Sequence, residues 1–358
     1  MKITSFACVG VLALSATSAH SGGWETGRLD SGVLYQDGNY VETSFGSLNY
    51  SINGTTQAGV THGMAKDQNR MSVSGKLAIG DFDIGLTSFS SGAIQMDGQN
   101  PAAGLPAAGL AGSSVVPSAD VKVYTQALMV RYKLNDNFSL IGGARQVNLK
   151  ASSVKTLLAT YNVDATKKTG ALYGLAYERP DIALRLEVLR SESLSMPLTG
   201  GATVASGTLV VPEATTVNFQ TGIAKDTLLM ASAHKVSWGA GQITVLGAGA
   251  TPNIGSSFSD TTSYSLGLGR KITEATSASL TYSWEKGAGA TSTSPFTMSN
   301  GSQTLSAGVS HKIGAMTISA GLSYTKAGDV TVGVPVPGVG TLSSAYTGNS
   351  VKAFGVKV

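Results

Sequence analysis

The sequence predicts an all-β protein. The fold class is a transmembrane antiparallel up-and-down β-barrel of about 14 strands with a short N-terminal luminal plug. Three observations predict it. Segments of about ten residues alternate apolar with polar or small side chains, the period of a strand with one face in lipid. Their connections alternate in length, a tight turn and then a long Gly/Ser/Thr/Ala-rich loop, as expected when turns face the periplasm and loops face outward. Charged residues make up only 13% while hydrophobic residues hold an ordinary 42%, and Gly reaches 45 of 358. That balance suits an outer face in lipid and a lumen lined by small side chains.

The first 21 residues read as a secretory signal. Lys2 supplies the positive end, Phe6 to Leu14 the short apolar core, and Ala16-Thr17-Ser18-Ala19-His20-Ser21 the small residues of a cleavage site. That core is too short to cross a bilayer as a helix. The one cysteine, Cys8, lies inside it, so the rest of the chain has no disulfide and no thiolate metal site. Residues 22–38 lack a barrel pattern. They could hang as a disordered tail, but in a barrel of this width an open bore would leak, so they are assigned to a hatch or plug. The barrel itself is assigned to 39–358.

Strands are expected at 39–53, 69–80, 82–90, 121–134, 137–150, 169–178 and 181–193, then at 214–224, 227–238, 261–272, 275–286, 303–313, 315–326 and 347–358. Tight turns join them in pairs at Gly80-Asp81, Asn135-Asp136-Asn137, Arg179-Pro180, Lys225-Asp226, Thr273-Glu274 and Gly314-Ala315. The eleventh span shows the pattern most plainly: Ala278, Leu280, Tyr282 and Trp284 share one face, and Ser279, Thr281 and Ser283 the other. The thirteenth repeats it with Leu322 and Tyr324 against Gly321 and Ser323. With short turns on the periplasmic side, Tyr124, Tyr264, Trp284 and Tyr324 form an outer aromatic girdle, and Tyr132, Phe138 and Tyr177 an inner one.

The same parity points Arg70, Lys76, Arg131, Lys133, Arg145, Arg185 and Glu187 into the lumen. Arg131, Lys133, Arg145, Arg185 and Glu187 are therefore candidate ligand-binding charges, able to guide a carboxylate head group through charge-assisted hydrogen bonds. The alternative is that they solvate the lumen and pin the plug, with Asp30, Asp37 and Arg28 as partners. The lumen is expected to carry more Arg and Lys than Asp and Glu. In the loops, Leu105, Leu110, Val115 and Val116 offer an apolar binding surface, and Val330, Val332, Val334 and Val336 a second one or a hairpin extending the barrel.

Catalysis has little support. Of four histidines, only His234, with serines nearby, could serve a rim hydrolase, and His311 falls on the lipid face near the periplasmic end. No enzyme activity, metal or cofactor is expected. No basic run carries interleaved aromatics, so nucleic acid is not a partner.

Four stretches carry a resemblance to a family. They are Leu34-Tyr35-Gln36-Asp37-Gly38-Asn39-Tyr40-Val41-Glu42-Thr43-Ser44-Phe45-Gly46, Ala127 to Ser139, Val217 to Leu229, and Thr262 to Lys271. In that order they resemble FadL/TodX-type outer-membrane transport proteins. The resemblance implies a fourteen-stranded barrel with an N-terminal hatch. It also implies passive, gated uptake of long-chain fatty acids or other hydrophobic compounds, caught by apolar loops and able to leave sideways through the wall. The implied location is the outer membrane, with membrane lipids and a hydrophobic small molecule as partners and a monomer as the assembly. Two features depart from the family: the hatch is short and lacks an Asn-Pro-Ala element, and the chain ends Gly355-Val356-Lys357-Val358 without an aromatic. The competing function is a general porin for small hydrophilic solutes.

Overall fold

The computed structural model describes residues 23–56, 59–61, 63–98, 117–156, 159–336 and 340–358. Fourteen strands form a closed antiparallel barrel. They are β1 Tyr40–Ser51, β2 Gln68–Ile79, β3 Phe82–Asp97, β4 Ser118–Lys133, β5 Phe138–Leu149, β6 Thr166–Arg179 and β7 Leu184–Ser191. The ring continues with β8 Ala214–Ala224, β9 Thr227–Val236, β10 Thr261–Lys271, β11 Thr276–Glu285, β12 Ser302–Ile313, β13 Met316–Ala327 and β14 Ser350–Lys357. Each strand pairs with the next, and β14 returns to β1 with Ser44 opposite Lys357 and Ser51 opposite Ser350. Val358 and Thr43 exchange both backbone hydrogen bonds at that seam, at 2.9 and 3.0 Å. Closure leaves the wall no free edge at mid-height.

Period two decides the faces. Leu280, Tyr282 and Trp284 on β11, and Leu322 and Tyr324 on β13, point outward and are exposed, while Thr281, Ser283, Ser323 and Thr325 point inward. Tyr264 stacks on Trp284 at 5.4 Å at the outer level. Phe82 stacks on Tyr132 at 4.8 Å, and Phe138 lies 4.9 Å from Tyr177, at the inner level. Between the girdles lies a band of exposed Leu, Ile, Val and Met that only lipid solvates without cost.

Five boundaries differ by three residues or more from the sequence-based expectation, the starts of β6 at Thr166 and β14 at Ser350 among them. The third tight turn is longer than Arg179-Pro180: Pro180–Ile182 forms a 3-10 turn and Ala183 is left-handed, φ 52°. Proline has no N–H to give to a ladder, so β7 starts only at Leu184. β3 runs to Asp97 rather than residue 90, and β4 begins at Ser118. These extensions rise above the membrane and bury Ile94 and Met96.

The long connections also hold more structure than loops need. Leu194–Leu198, Val204–Val211, Ile243–Gly247 and Ile254–Gly255 form one sheet. Val330–Val336 and Gly340–Tyr346 form a hairpin in a second, alongside Gly54–Thr56. Ser152–Lys155 and Thr160–Val163 form a third hairpin on the top of β4. Together with Trp238, Phe258 and Phe296 these elements bury a continuous apolar core over the outer mouth.

Candidate functional site

Residues 23–38 touch the inward faces of strands from β2 to β10. Their backbone reaches β2 and β3, and their side chains reach β4, β7, β9 and β10. Val33 and Leu34, at the start of a 3-10 turn over Gly32–Tyr35, pack among Ala127, Met129, Ile141, Leu172 and Leu189. Two glycines of β3 make room. A Cβ on Gly85 would lie 2.7 Å from Leu34 Cδ2, and one on Gly92 would lie 2.2 Å from the Trp24 ring.

Tyr35 lies in the lower lumen against β4 and β7. Its ring lies between two guanidinium groups, Arg131 at 4.4 Å and Arg185 at 4.0 Å from the ring centroid. This cation–π sandwich is stronger for being desolvated. The Tyr35 hydroxyl donates to Glu187 Oε2 at 2.5 Å, and Ser31 Oγ and Asn218 Nδ2 donate to Oε1 at 2.5 and 3.0 Å. Glu187 is fully buried, so these donors and the neighbouring Arg185 are what allow a carboxylate there. Beside it, Asp83 accepts from Lys76 at 3.1 Å, Lys133 at 3.1 Å and Arg131 at 3.4 Å, and Arg131 also pairs with Glu178. Lys76 donates to the carbonyl of Gln36 as well.

The upper lumen is built differently. Trp24 meets Trp238 edge-on at 5.4 Å, and Trp238 meets Phe258 at 5.7 Å, which ties the segment to the loop core. Glu25 bonds His234 Nε2 at 3.0 Å, whose Nδ1 faces Thr216 Oγ1 at 2.8 Å. Burial works to raise the Glu25 carboxyl, but His234, Arg28 and Arg145 outweigh it and hold it below its ordinary value. Arg28 donates to Ser263 Oγ at 2.6 Å, and Arg70 to the carbonyl of Thr26.

Here the wall itself changes. β2 pairs with β3 only as far as Ser72–Phe89. Above that the β3 edge is completed by other backbone. Thr26 and Gly27 donate to the Ser91 carbonyl at 3.0 and 3.2 Å, Ala93 donates to Trp24, and Lys66 donates to Gln95. On the other side of β3 the register with β4 shifts between Ser90 and Gly92, a bulge at Ser91. A small cavity of about 30 Å³ adjoins Ser91, and a second of about 20 Å³ lies toward His234, the two sharing Glu25, Leu29, Arg145 and Ala214. Each has room for one or two waters.

The expected site residues therefore divide. Arg131, Arg185 and Glu187 come together around Tyr35, and Lys133 joins Asp83. Arg145 lies higher and donates to the carbonyls of Glu192 and Pro212, at 2.7 and 3.4 Å. The expected partners need correction. Arg28 goes to Ser263 and Glu25, and Asp30 accepts from the Gly32 backbone. Ser31 and Tyr35 make the contacts instead, because the 3-10 turn aims them at β7. Asp83, Glu178 and Glu25, beside Glu187, offset part of the luminal cation excess. Asp83 was legible: Phe82-Asp83-Ile84 alternates and places it inward. Nothing in the sequence marks Tyr35 or Trp24.

Leu105, Leu110, Val115 and Val116 lie outside the described residues. Val330 and Val332 are buried rather than offered to a ligand, because their hairpin packs on the other loops. The His234 ring nitrogens go to Thr216 and Glu25, not to a serine. His311 is exposed on the outer face and bonds Thr276 Oγ1 at 2.9 Å.

No family model matches the sequence, and no curated protein matches it. Solved structures share its fold. A FadL homologue of Pseudomonas aeruginosa matches with a TM-score of 0.70 at 12% identity, over 91% of this chain and 90% of that one. The toluene transporter TodX of Pseudomonas putida matches with a TM-score of 0.61 at 12% identity, over 95% and 96%. The toluene transporter TbuX of Ralstonia pickettii matches with 0.57 at 11%, over 90% of each. The chain thus has the fourteen-stranded FadL/TodX-type barrel fold, the architecture of outer-membrane proteins.

Proposed function

We propose that this protein carries hydrophobic compounds inward across the outer membrane by passive diffusion, long-chain fatty acids among them. One observation carries the reading: residues 24–38 run through the lumen beneath an apolar core built by the outer loops. Apolar cargo that parts this packing gains about 25 cal/mol per Å² that it buries there. Tyr35 and its partners below then act as a plug. A cargo carboxylate would compete with Asp83 and Glu178 for Arg131 and draw Arg185 off the Tyr35 ring, which loosens the plug as the cargo arrives. The stretch above Phe89, closed by residues 24–27 and 64–66 in place of strand pairing, is the exit through the wall. The same fold serves FadL and toluene transporters, which supports an apolar cargo. The porin alternative needs an open charged constriction, and the packing of Val33 and Leu34 argues against one.

The test uses the purified protein in liposomes. Removing 100–116 should cut long-chain fatty-acid uptake and leave a small sugar unaffected. Removing 24–36 should leave a folded barrel of raised ion conductance. Loss of sugar permeation with fatty-acid uptake intact would make the protein a porin.

A further inference from the structure

The outward faces of β4, β5 and β6 break the usual order of a membrane belt. Below, Leu128, Leu140 and Leu175 are apolar and exposed. The next rows are polar: Gln126 lies opposite Gln146, which lies opposite Thr169, and Tyr124 lies opposite Asn148, which lies opposite Lys167. Above them, Lys150 donates its backbone N–H to the Lys122 carbonyl, so these two lysines sit side by side. Lys167 is diagonal to Lys150 on β6, about 7–8 Å away by strand geometry. Three ammonium groups thus crown a row of amides and a hydroxyl. Lys150 Nζ stands 5.6 Å over the Tyr124 ring, and Gln146 Nε2 donates to Thr169 Oγ1 at 3.3 Å. Asp120 is the facing carboxylate and is held by Lys122 at 3.2 Å and by Gln95 at 3.0 Å. Among the described residues no carboxylate pairs with Lys150 or Lys167.

We propose that this patch binds the phosphate head group of an anionic glycolipid in the outer leaflet. Position and charge complementarity both favour it. The patch continues directly from the lipid-facing belt, on the side of the long loops, where acyl chains give way to head groups. Ammonium groups on flexible stems attract anionic head groups and reach up to them. The amide row beneath supplies neutral donors and acceptors for sugar hydroxyls. The opposite wall at this height differs, because there Tyr264 and Trp284 cover the same zone and the lysines Lys326 and Lys352 flank Tyr324. The proposal adds to the transport reading and needs only the orientation with long loops outside.

Native mass spectrometry of the full chain in detergent with added diphosphoryl lipid A tests it. The wild type should retain lipid A, and far less of the dephosphorylated form. Lys150→Glu with Lys167→Glu should lower retention about tenfold or more. Lys326→Glu with Lys352→Glu, an equal change of charge on the other wall, should retain it. Heat modifiability on gels checks folding, and Lys150→Gln with Lys167→Gln replaces the reversal if that variant fails to fold. Equal loss in both double variants, or undiminished retention in the β4–β6 variant, overturns the proposal. So does equal binding of dephosphorylated lipid A.

Discussion

The two ends of residues 24–38 lean on different contacts, although Val33 and Leu34 also pack apolar groups below and Glu25 also meets His234 above. At Ser31 to Gln36, hydrogen bonds and charges do the holding: Glu187 takes two hydroxyls of the segment, and two guanidinium groups clamp Tyr35. At Trp24 to Gly27, aromatic packing and backbone pairing hold it to Trp238 and to the open edge of β3. Charged contacts weaken when a competing carboxylate arrives, whereas apolar packing weakens when an apolar body intrudes. A cargo with an oily tail and one acid group would therefore challenge both ends in turn, tail first.

Glu187→Ala breaks or sharpens this contrast most. Removing the buried carboxylate leaves the Ser31, Tyr35 and Asn218 donors unsatisfied, at about 1–3 kcal/mol each. Backbone amides of 31–36 should then exchange hydrogen faster, while the Trp24 end keeps its protection. If both ends loosen together, the segment is one cooperative unit and the contrast fails.

Trp24→Ala comes next, at about 3 kcal/mol, the low end for a buried aromatic because a cavity already adjoins the ring. Single-channel recordings should show brief openings without loss of the Tyr35 anchor, read as unchanged protection of 31–36. Tyr35→Phe is milder, about 1–2 kcal/mol, since it deletes one hydroxyl from a buried carboxylate and keeps the ring between the two arginines. Conductance should rise less than in Glu187→Ala. A rise as large would mean the hydroxyl, not the stacking, fixes the lower end.

The smallest effect is that of pH. Glu25 is held below its ordinary carboxylate value of 4.5, so its contribution is present above that value and lost as pH falls through the depressed one. Tryptophan fluorescence should report release of the upper end only in strong acid, and Glu25→Gln should remove the step. A step that survives Glu25→Gln would place the titrating group elsewhere.

Strand after strand was legible because alternation and turn chemistry are local. Leu280, Tyr282 and Trp284 declare their common face within five residues, and Asn135-Asp136-Asn137 declares its turn. Of the site, parity placed Arg131, Arg185 and Glu187 in the lumen. It could not say that they meet at Tyr35, since β4 and β7 lie far apart in sequence. The plug segment has no period to read, so the roles of Ser31 and Trp24 stayed hidden.

By itself, then, the sequence determined the barrel, its strand number, its lipid face and the inward charges. Each follows from a two-residue repeat or a turn only a few residues long. Tertiary structure alone decided which charges pair, where β2 and β3 part, and that the loops close over the bore. Those outcomes depend on strand stagger round a closed ring and on the path of 24–38 through it. Both bring together side chains that are distant in the chain, and no local pattern encodes such distances.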